Sequence, residues 1–214
     1  MPHSQLDHIV ITAPSLATGI AYVRQALGVA PQKGGEHPCM GTHNCFVKLG
    51  GATYLEIIAI NPHAPAPHRP RLFGLDQVDA QPRLATWVAR TDDIQAAISM
   101  SAIPLGSVEH MTRDGLHWKI TIPKDGSLPC HGIAPTLIEW PHGMHPTTTQ
   151  NDLGCALVGV EGFHPEADRV SAMLRAIGFE GEISLNTLPH GVTPRLVAHI
   201  KSPMGVCQLG RAEC

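Results

Sequence analysis

Two short segments, LDHIVIT (residues 6–12) and YLEIIAI (54–60), each place one residue capable of chemistry inside an apolar run. The first contains His8 and the second contains Glu56. Alternation along YLEIIAI surrounds Glu56 with apolar neighbours. A buried carboxylate without a partner is costly or stays protonated, so Glu56 predicts a metal, a cation or a proton-transfer role. The structural alternatives are a salt bridge or a strand end for Glu56, and a core histidine bonded to a carbonyl for His8.

Glu139 and His43 are further candidates for the same chemistry. Glu139 is again a carboxylate in an apolar strand, whose alternative is an ion pair with Lys or Arg. His43 begins an apolar strand, where it could replace a metal ligand, act as a general base or bind substrate. Its alternative is a solvent contact at a strand start. Asn44 beside it could orient a substrate oxygen or belong to a turn.

Arg113 and Trp87 are the remaining candidates for substrate binding. Arg113 could bind a carboxylate on the substrate or pair with Glu139, and the alternative is a solvated hairpin arginine. Trp87 is predicted to form an apolar wall on which a substrate lies. No cysteine joins this set of residues, which argues against a closed structural zinc site.

Composition restricts the classes of partner. The 214 residues are 43% hydrophobic and 15% charged, enough apolar material for a buried core. The net charge of −3 and the absence of like-charge runs disfavour nucleic acid as a partner. No apolar stretch has the length of a membrane span and no secretory signal is seen, which predicts a cytoplasmic protein without a membrane partner. The six cysteines are scattered, and we expect reduced thiols.

The order of strand and helix patterns is repeated along the chain. A strand, a helix from Ser15 to Gly28, a Gly/Pro-rich loop and further strands are followed by a second unit with the same pattern. Laying one unit on the other puts Trp87 opposite His8 and Glu139 opposite Glu56. The predicted divisions are a first βαβββ module (1–62), a Pro-rich linker (63–83), a second βαβββ module (84–146) and a partial third βαββ module (153–214).

The segments LDHIVIT, GTHNCFVKLGGATYLEIIAI, RDGLHWKITIP and PTLIEWPHG together resemble the glyoxalase-like branch of the vicinal oxygen chelate superfamily. The resemblance implies an α+β fold of paired βαβββ modules whose sheets curl into a U-shaped cavity. It also implies metal ligands on the first and last strands of the modules, at His8, Glu56 and Glu139. Trp87 occupies the fourth ligand position, which departs from a site with two histidines and two glutamates.

The resemblance suggests two functions. The first is an enzyme in which a divalent ion (Zn, Ni, Mn or Fe) polarises an oxygen of a small-molecule substrate while His43 or a carboxylate such as Glu139 moves a proton. That chemistry is a lyase, isomerase or epimerase reaction, and an iron-dependent extradiol dioxygenase is a weaker variant. The alternative is a metal-free protein that binds or sequesters a small molecule. A homodimer is possible in either case.

Overall fold

The computed structural model describes residues 2–113 and 115–210, which form three α-helices and thirteen strands. The helices are α1 (Leu16–Leu27), α2 (Ile94–Met100) and α3 (Ala167–Ala176). The strands are β1 (Ser4–Thr12), β2 (Gln32–His37), β3 (Thr42–Lys48), β4 (Tyr54–Ile60), β5 (Arg83–Thr91), β6 (Ser107–Arg113), β7 (Leu116–Ile122), β8 (Thr136–Glu139), β9 (Ala156–His164), β10 (Phe179–Glu180), β11 (Ile183–Thr187), β12 (Arg195–Ser202) and β13 (Gly205–Leu209). No helix in this part of the chain has both the length and the apolar composition needed to cross a bilayer.

The larger sheet consists of two similar halves. Its strand order is β2-β3-β4-β1-β5-β8-β7-β6, with β10 beside β1. In the first half β1 runs parallel to β4, in the second β5 runs parallel to β8, and β1 and β5 join the halves in antiparallel fashion. The outermost strands β2 and β6 contact each other, so the sheet curls round on itself. The predicted α+β class and curled sheet are therefore confirmed.

The sheet has two buried faces with separate apolar clusters. Val10, Ile58 and Val88 belong to the inner cluster, inside the curl. Ile57 and Trp87 belong to the outer cluster, against which the helices pack. Because side chains alternate along a strand, neighbours in sequence enter different clusters. Any error of one residue in register therefore exchanges the two faces.

Local sequence explains the helix that follows β1. Ser15 begins α1 with a capping box, in which its side chain accepts from the N–H of Thr18 and Thr18 bonds back to the N–H of Ser15. Gly28 ends the helix with a φ of 70°, and its N–H donates to Arg24. The predicted helix from Ser15 to Gly28 is confirmed.

The segment predicted as a Gly/Pro-rich loop before β3 is partly a strand, β2, and that prediction is wrong for residues 32–37. Its glycines allow close packing on β3. A Cβ atom at Gly34 would collide with the Asn44 carboxamide. The N–H of Gly35 donates to Asn44 Oδ1 at 3.0 Å. Composition suggested a loop, but here glycine serves the close approach of two strands.

The C-terminal segment forms a second sheet in the order β11-β9-β12-β13. Helix α3 packs on β9, β10 and β11, while β10 itself pairs with β1 of the larger sheet. The C-terminal segment is thus tied to the larger sheet by backbone hydrogen bonds, which include the bond from the Leu157 N–H of β9 to the Leu49 carbonyl. The module and linker boundaries given above stay predictions.

Trp87→Ala should lower the free energy of unfolding by about 3–5 kcal/mol, because it empties a fully buried site. The indole Nε1 also donates to the Ile133 carbonyl at 2.9 Å, and that acceptor would lose its partner. Urea unfolding measures the change. Val206→Ala, at a position 69% exposed, is the control and should stay within about 0.5 kcal/mol. Equal stabilities of the two variants would contradict the core assignment of Trp87.

Candidate active site

The curled sheet encloses a cavity that opens to solvent. Most of its wall is aliphatic or aromatic, and a few polar side chains converge in it, as in typical small-molecule sites. The lining residues are His8, His37, Tyr54, Glu56, Ile58, Leu72, Phe73, Met111, Arg113, Trp118, Ile120, Ile138 and Trp140. Three residues singled out from the sequence, His8, Glu56 and Arg113, are thus brought together.

A β-bulge in β1 positions the first of them. In the pairing of β1 with β5, Leu6 lies opposite Ala89 and His8 opposite Val88, which leaves Asp7 as the extra residue. Bulges redirect side chains, and here Asp7 Oδ1 reaches Nδ1 of the neighbouring His8 at 2.6 Å. A carboxylate on Nδ1 fixes the ring orientation and turns Nε2 toward the cavity.

Asp7 is fully buried and accepts hydrogen bonds on both oxygens. Besides His8, Trp140 Nε1 and His145 Nε2 each lie 3.0 Å from Oδ2. Burial alone would raise the pKa of Asp7, but the bonds and charges of His145 and His8 outweigh it and lower the pKa below its usual range. Asp7 is therefore a fixed negative charge beneath the cavity.

His8 carries the matching positive charge. Burial alone would lower its pKa, but the hydrogen bonds and charges of Asp7 and Glu56 outweigh that effect and raise the pKa to about 9. Its Nε2 lies 3.5 Å from Glu56 Oε2. At neutral pH the ring is an imidazolium held between two carboxylates.

Glu56 is 6% exposed and has the partners that its sequence context required. Its Oε1 accepts from Asn44 Nδ2, and its Oε2 faces His8. Burial would raise the pKa of Glu56, but the hydrogen bond and charge of His8 and the hydrogen bond from Asn44 lower it overall. Glu56 is therefore ionised at neutral pH, in a cavity from which bulk water is largely excluded.

Glu139, His43 and Trp87 lie outside this cavity. Each is next in sequence to a residue whose side chain points to the cavity side of its strand. On β8 the residues that line the cavity are Ile138 and Trp140, so Glu139 faces away. There its oxygens accept from Lys119 Nζ at 2.6 Å and from the N–H of Ile94, the first residue of α2. The predicted roles of Glu139 as a ligand beside His8 and as a catalytic group are therefore not supported.

His43 and Trp87 also lie one residue away from the position that faces the cavity side. Asn44 contacts Glu56, whereas His43 borders an open groove outside the cavity. Burial lowers the pKa of His43, with the nearby His63 contributing in the same direction against Glu36. Trp87 lies in the outer cluster, and Val88 is the residue opposite His8. The sequence overlay that equated Trp87 with His8 is wrong by one residue, and Trp87 is no substrate wall.

The two halves of the sheet show which positions correspond. His8 pairs with Tyr54 and Val10 with Glu56 in the first half; Val88 pairs with Thr136 and Arg90 with Ile138 in the second. Val88 and Ile138 are therefore the counterparts of His8 and Glu56. Both counterparts are apolar and offer a metal no donor atom.

The implied divalent metal can be tested against these donors. Protein sites for such ions use three or more ligands, and only His8 and Glu56 stand at corresponding positions. No cluster of three or more His, Cys, Asp or Glu side chains suited to a metal occurs in residues 2–113 and 115–210. The side chains present do not fit a resident divalent ion.

Asp7, His37 and His145 were missed from the sequence. His37 belongs to β2, which was predicted as loop, and it is buried with its Nδ1 3.0 Å from Thr42 Oγ1. His145 follows β8 in a Pro/Gly-rich segment, where histidine usually contacts solvent. Of these three residues, only Asp7 could have been predicted from the sequence, because it is a second charged residue in an apolar strand, next to His8.

The proton on His8 should persist to high pH. In an NMR titration of its ring we expect a midpoint near pH 9, and a lower midpoint in Asp7→Asn, which removes the stabilising charge. Because the folded pKa is above the unfolded value of 6.5, His8 contributes stability below pH 6.5 that is lost as the pH rises through 9. His8→Gln identifies the signal. A wild-type midpoint near 6.5 would contradict the charge assignment.

Comparison with known proteins agrees with this architecture. The chain resembles a hypothetical protein from Staphylococcus aureus with a TM-score of 0.56 at 12% identity, covering 97% of this chain and 84% of that one. It also matches methylmalonyl-CoA epimerase from Mycobacterium tuberculosis (TM-score 0.44, 17% identity, 64% of this chain and 87% of that one). A mutant of 4-hydroxymandelate synthase from Streptomyces coelicolor matches with a TM-score of 0.49 and 12% identity, over 98% and 63%. Only the first likeness exceeds a TM-score of 0.5, and at 12% identity it describes the fold alone.

The comparison of sequences identifies the family. No curated protein matches the chain significantly. The family model described as a glyoxalase-like domain matches residues 6–178, which are most of the chain and nearly all of the cavity-forming sheet. The chain therefore belongs to the glyoxalase-like domain family.

Proposed function

We propose that this protein is an enzyme that moves a proton on a small oxygenated substrate, in an isomerase, epimerase or lyase reaction. One observation carries the proposal: His8 and Glu56 face each other as cation and carboxylate in a largely apolar cavity. A base and a hydrogen-bond donor of opposite charge are the two groups that enolisation of a carbonyl compound needs.

Each of the two groups has one role. Glu56 removes a proton from the carbon next to the substrate carbonyl, and the C–H electron pair forms the enolate. His8 Nε2–H donates to the oxygen on which negative charge develops. Return of the proton from Glu56 gives an isomerised or epimerised product, and loss of a leaving group from the next carbon gives a lyase reaction. Low local dielectric strengthens both interactions.

Asp7 acts through His8. Its hydrogen bond at 2.6 Å to Nδ1 holds the ring, and its charge keeps the ring protonated. Asp7 does not line the cavity, so it is a positioning residue. His145 and Trp140 in turn hold Asp7 from the segment after β8.

The proposal assigns no step to a divalent metal. Zn, Ni, Mn or Fe was predicted from the resemblance, with Glu139 as a third ligand. Glu139 faces α2, and the counterparts of His8 and Glu56 are valine and isoleucine. In their place the proposal uses the imidazolium of His8 to stabilise the enolate oxygen.

A metal-free binding protein is the second candidate function. The apolar wall formed by residues such as Phe73, Met111 and Trp118 favours it, because such walls bind ligands without chemistry. This candidate predicts ligand binding without proton exchange, which the experiment below separates from catalysis.

We also propose a cytoplasmic location, supported by the cysteines. Cys39, Cys45, Cys130, Cys155 and Cys207 are unpaired, and Cys214 lies outside the described residues. The homodimer stays a prediction.

Proton exchange with D₂O tests the function directly. We expect the protein to accelerate loss of C–H signals in proton NMR from at least one member of a panel of small ketones, hydroxyketones and keto acids. Glu56→Gln should reduce the rate by about 10²–10⁴-fold, the usual contribution of a general base. Glu139→Gln is the matched control: another partly buried glutamate, on the far side of the sheet, whose replacement should leave the exchange rate unchanged.

Two results would overturn the proposal. One is exchange by folded Glu56→Gln at the wild-type rate. The other is binding of panel members by wild-type protein without any exchange, which would favour the binding protein.

A further inference from the structure

Arg113, the last residue of β6, is a buried cation with no carboxylate partner among residues 2–113 and 115–210. The residue is 8% exposed and lines the cavity. In the described part of the chain no Asp or Glu forms an ion pair with it, whereas Lys119 on the neighbouring strand pairs with Glu139 at 2.6 Å. A buried charge without a counter-ion is costly. Such a guanidinium is therefore a site for an anionic group of a ligand.

The guanidinium is held in one orientation. Its two hydrogen bonds both involve Nη1, 3.2 Å from His37 Nε2 and 3.3 Å from Asn44 Oδ1. It also lies 5.0 Å from the ring centroid of Phe46 and 5.8 Å from that of Trp118. The Nη2 and Nε edge makes no hydrogen bond to the described residues. That edge presents the parallel N–H donors that bind a carboxylate through both oxygens.

Asn44 places Arg113 close to the proton-transfer pair. Its Oδ1 accepts from Arg113 while its Nδ2 donates to Glu56, so a single carboxamide separates the two charged groups. A ligand that contacts both must be short. Arg113 and Asn44 also border the open groove outside the cavity, which Glu56 does not. A ligand entering from the groove therefore meets Arg113 first.

We propose that the substrate is a small α-keto acid with an apolar side chain, whose carboxylate binds Arg113 and whose acidic C–H faces Glu56. This substrate class rests on the proposed function, which supplies the proton transfer. In an α-keto acid only the carbonyl carbon separates the carboxylate from that carbon, which matches the short distance spanned by Asn44. The apolar side chain lies against the wall that contains Leu72 and Met111.

The chemical step balances without a co-reactant. The C–H proton passes to Glu56, and the C–H electron pair becomes the carbon–carbon double bond of the enolate. The carbonyl oxygen takes the negative charge and accepts from His8 Nε2. The proton then returns to the same carbon or to the oxygen, which gives epimerisation or the enol tautomer.

Calorimetric titration with phenylpyruvate and α-ketoisocaproate, each beside its methyl ester, tests the substrate class. We expect at least one acid to bind and its ester to bind about 10–100-fold more weakly, as loss of a charge-assisted pair implies. Arg113→Gln should lose a similar factor, and Arg113→Lys, which keeps the charge, should lose less. Arg195→Gln is the control, because Arg195 packs on Phe163 in the second sheet.

Three outcomes would overturn the inference: equal affinity for acid and ester, unchanged affinity in folded Arg113→Gln, or no binding of either acid up to about 10 mM. Failure of the proposed function looks different. Arg113-dependent binding of the acid without deuterium exchange would leave the anion site standing and remove the catalysis. Glu56-dependent exchange of neutral ketones without Arg113-dependent binding of the acid would support the catalysis and remove the anion site.

Discussion

The arrangement of the cavity depends on one buried charge. Asp7 is withdrawn completely from water, and such a carboxylate is tolerated only with full hydrogen bonding and a cation beside it. His8 supplies one cation, the Arg90 guanidinium lies 4.0 Å away, and Trp140 and His145 contact Asp7 Oδ2 from the segment after β8. The requirement of Asp7 thus fixes the protonation of His8 and draws the segment after β8 over the cavity.

The same interaction explains why Glu56 is a charged group in an apolar wall. An imidazolium held by Asp7 stabilises a second carboxylate on its other nitrogen, and the Asn44 carboxamide satisfies the remaining oxygen. Asn44 then connects Glu56 to Arg113, whose Nη2 and Nε edge is left to bind a ligand.

Period-two and helical patterns predicted the order of strands and helices, and the resemblance to the glyoxalase-like branch implied the curled fold and the site positions of His8 and Glu56. LDHIVIT and YLEIIAI alternate clearly, and His8 and Glu56 both face the cavity as expected. The prediction for the second half of the site was wrong because LATWVART and TLIEWP are apolar on both faces. Alternation along these strands therefore does not indicate which residue faces the cavity. Choosing Trp87 and Glu139 over Val88 and Ile138 was a register error of one residue. The bulge at Asp7 and the strand character of β2 depend on tertiary contacts, which no local pattern contains.

The central claim is that charge on His8, in place of a metal, stabilises negative charge in the cavity. Metal content by mass spectrometry tests it most directly, on protein purified without chelators and then incubated with Zn, Ni, Mn and Fe(II), beside Glu56→Ala. We expect far less than one equivalent in both proteins, because no group of three metal donors occurs in the part of the chain that the structure describes. Near-stoichiometric metal in the wild type that is lost in Glu56→Ala would contradict the claim and make His8 and Glu56 ligands.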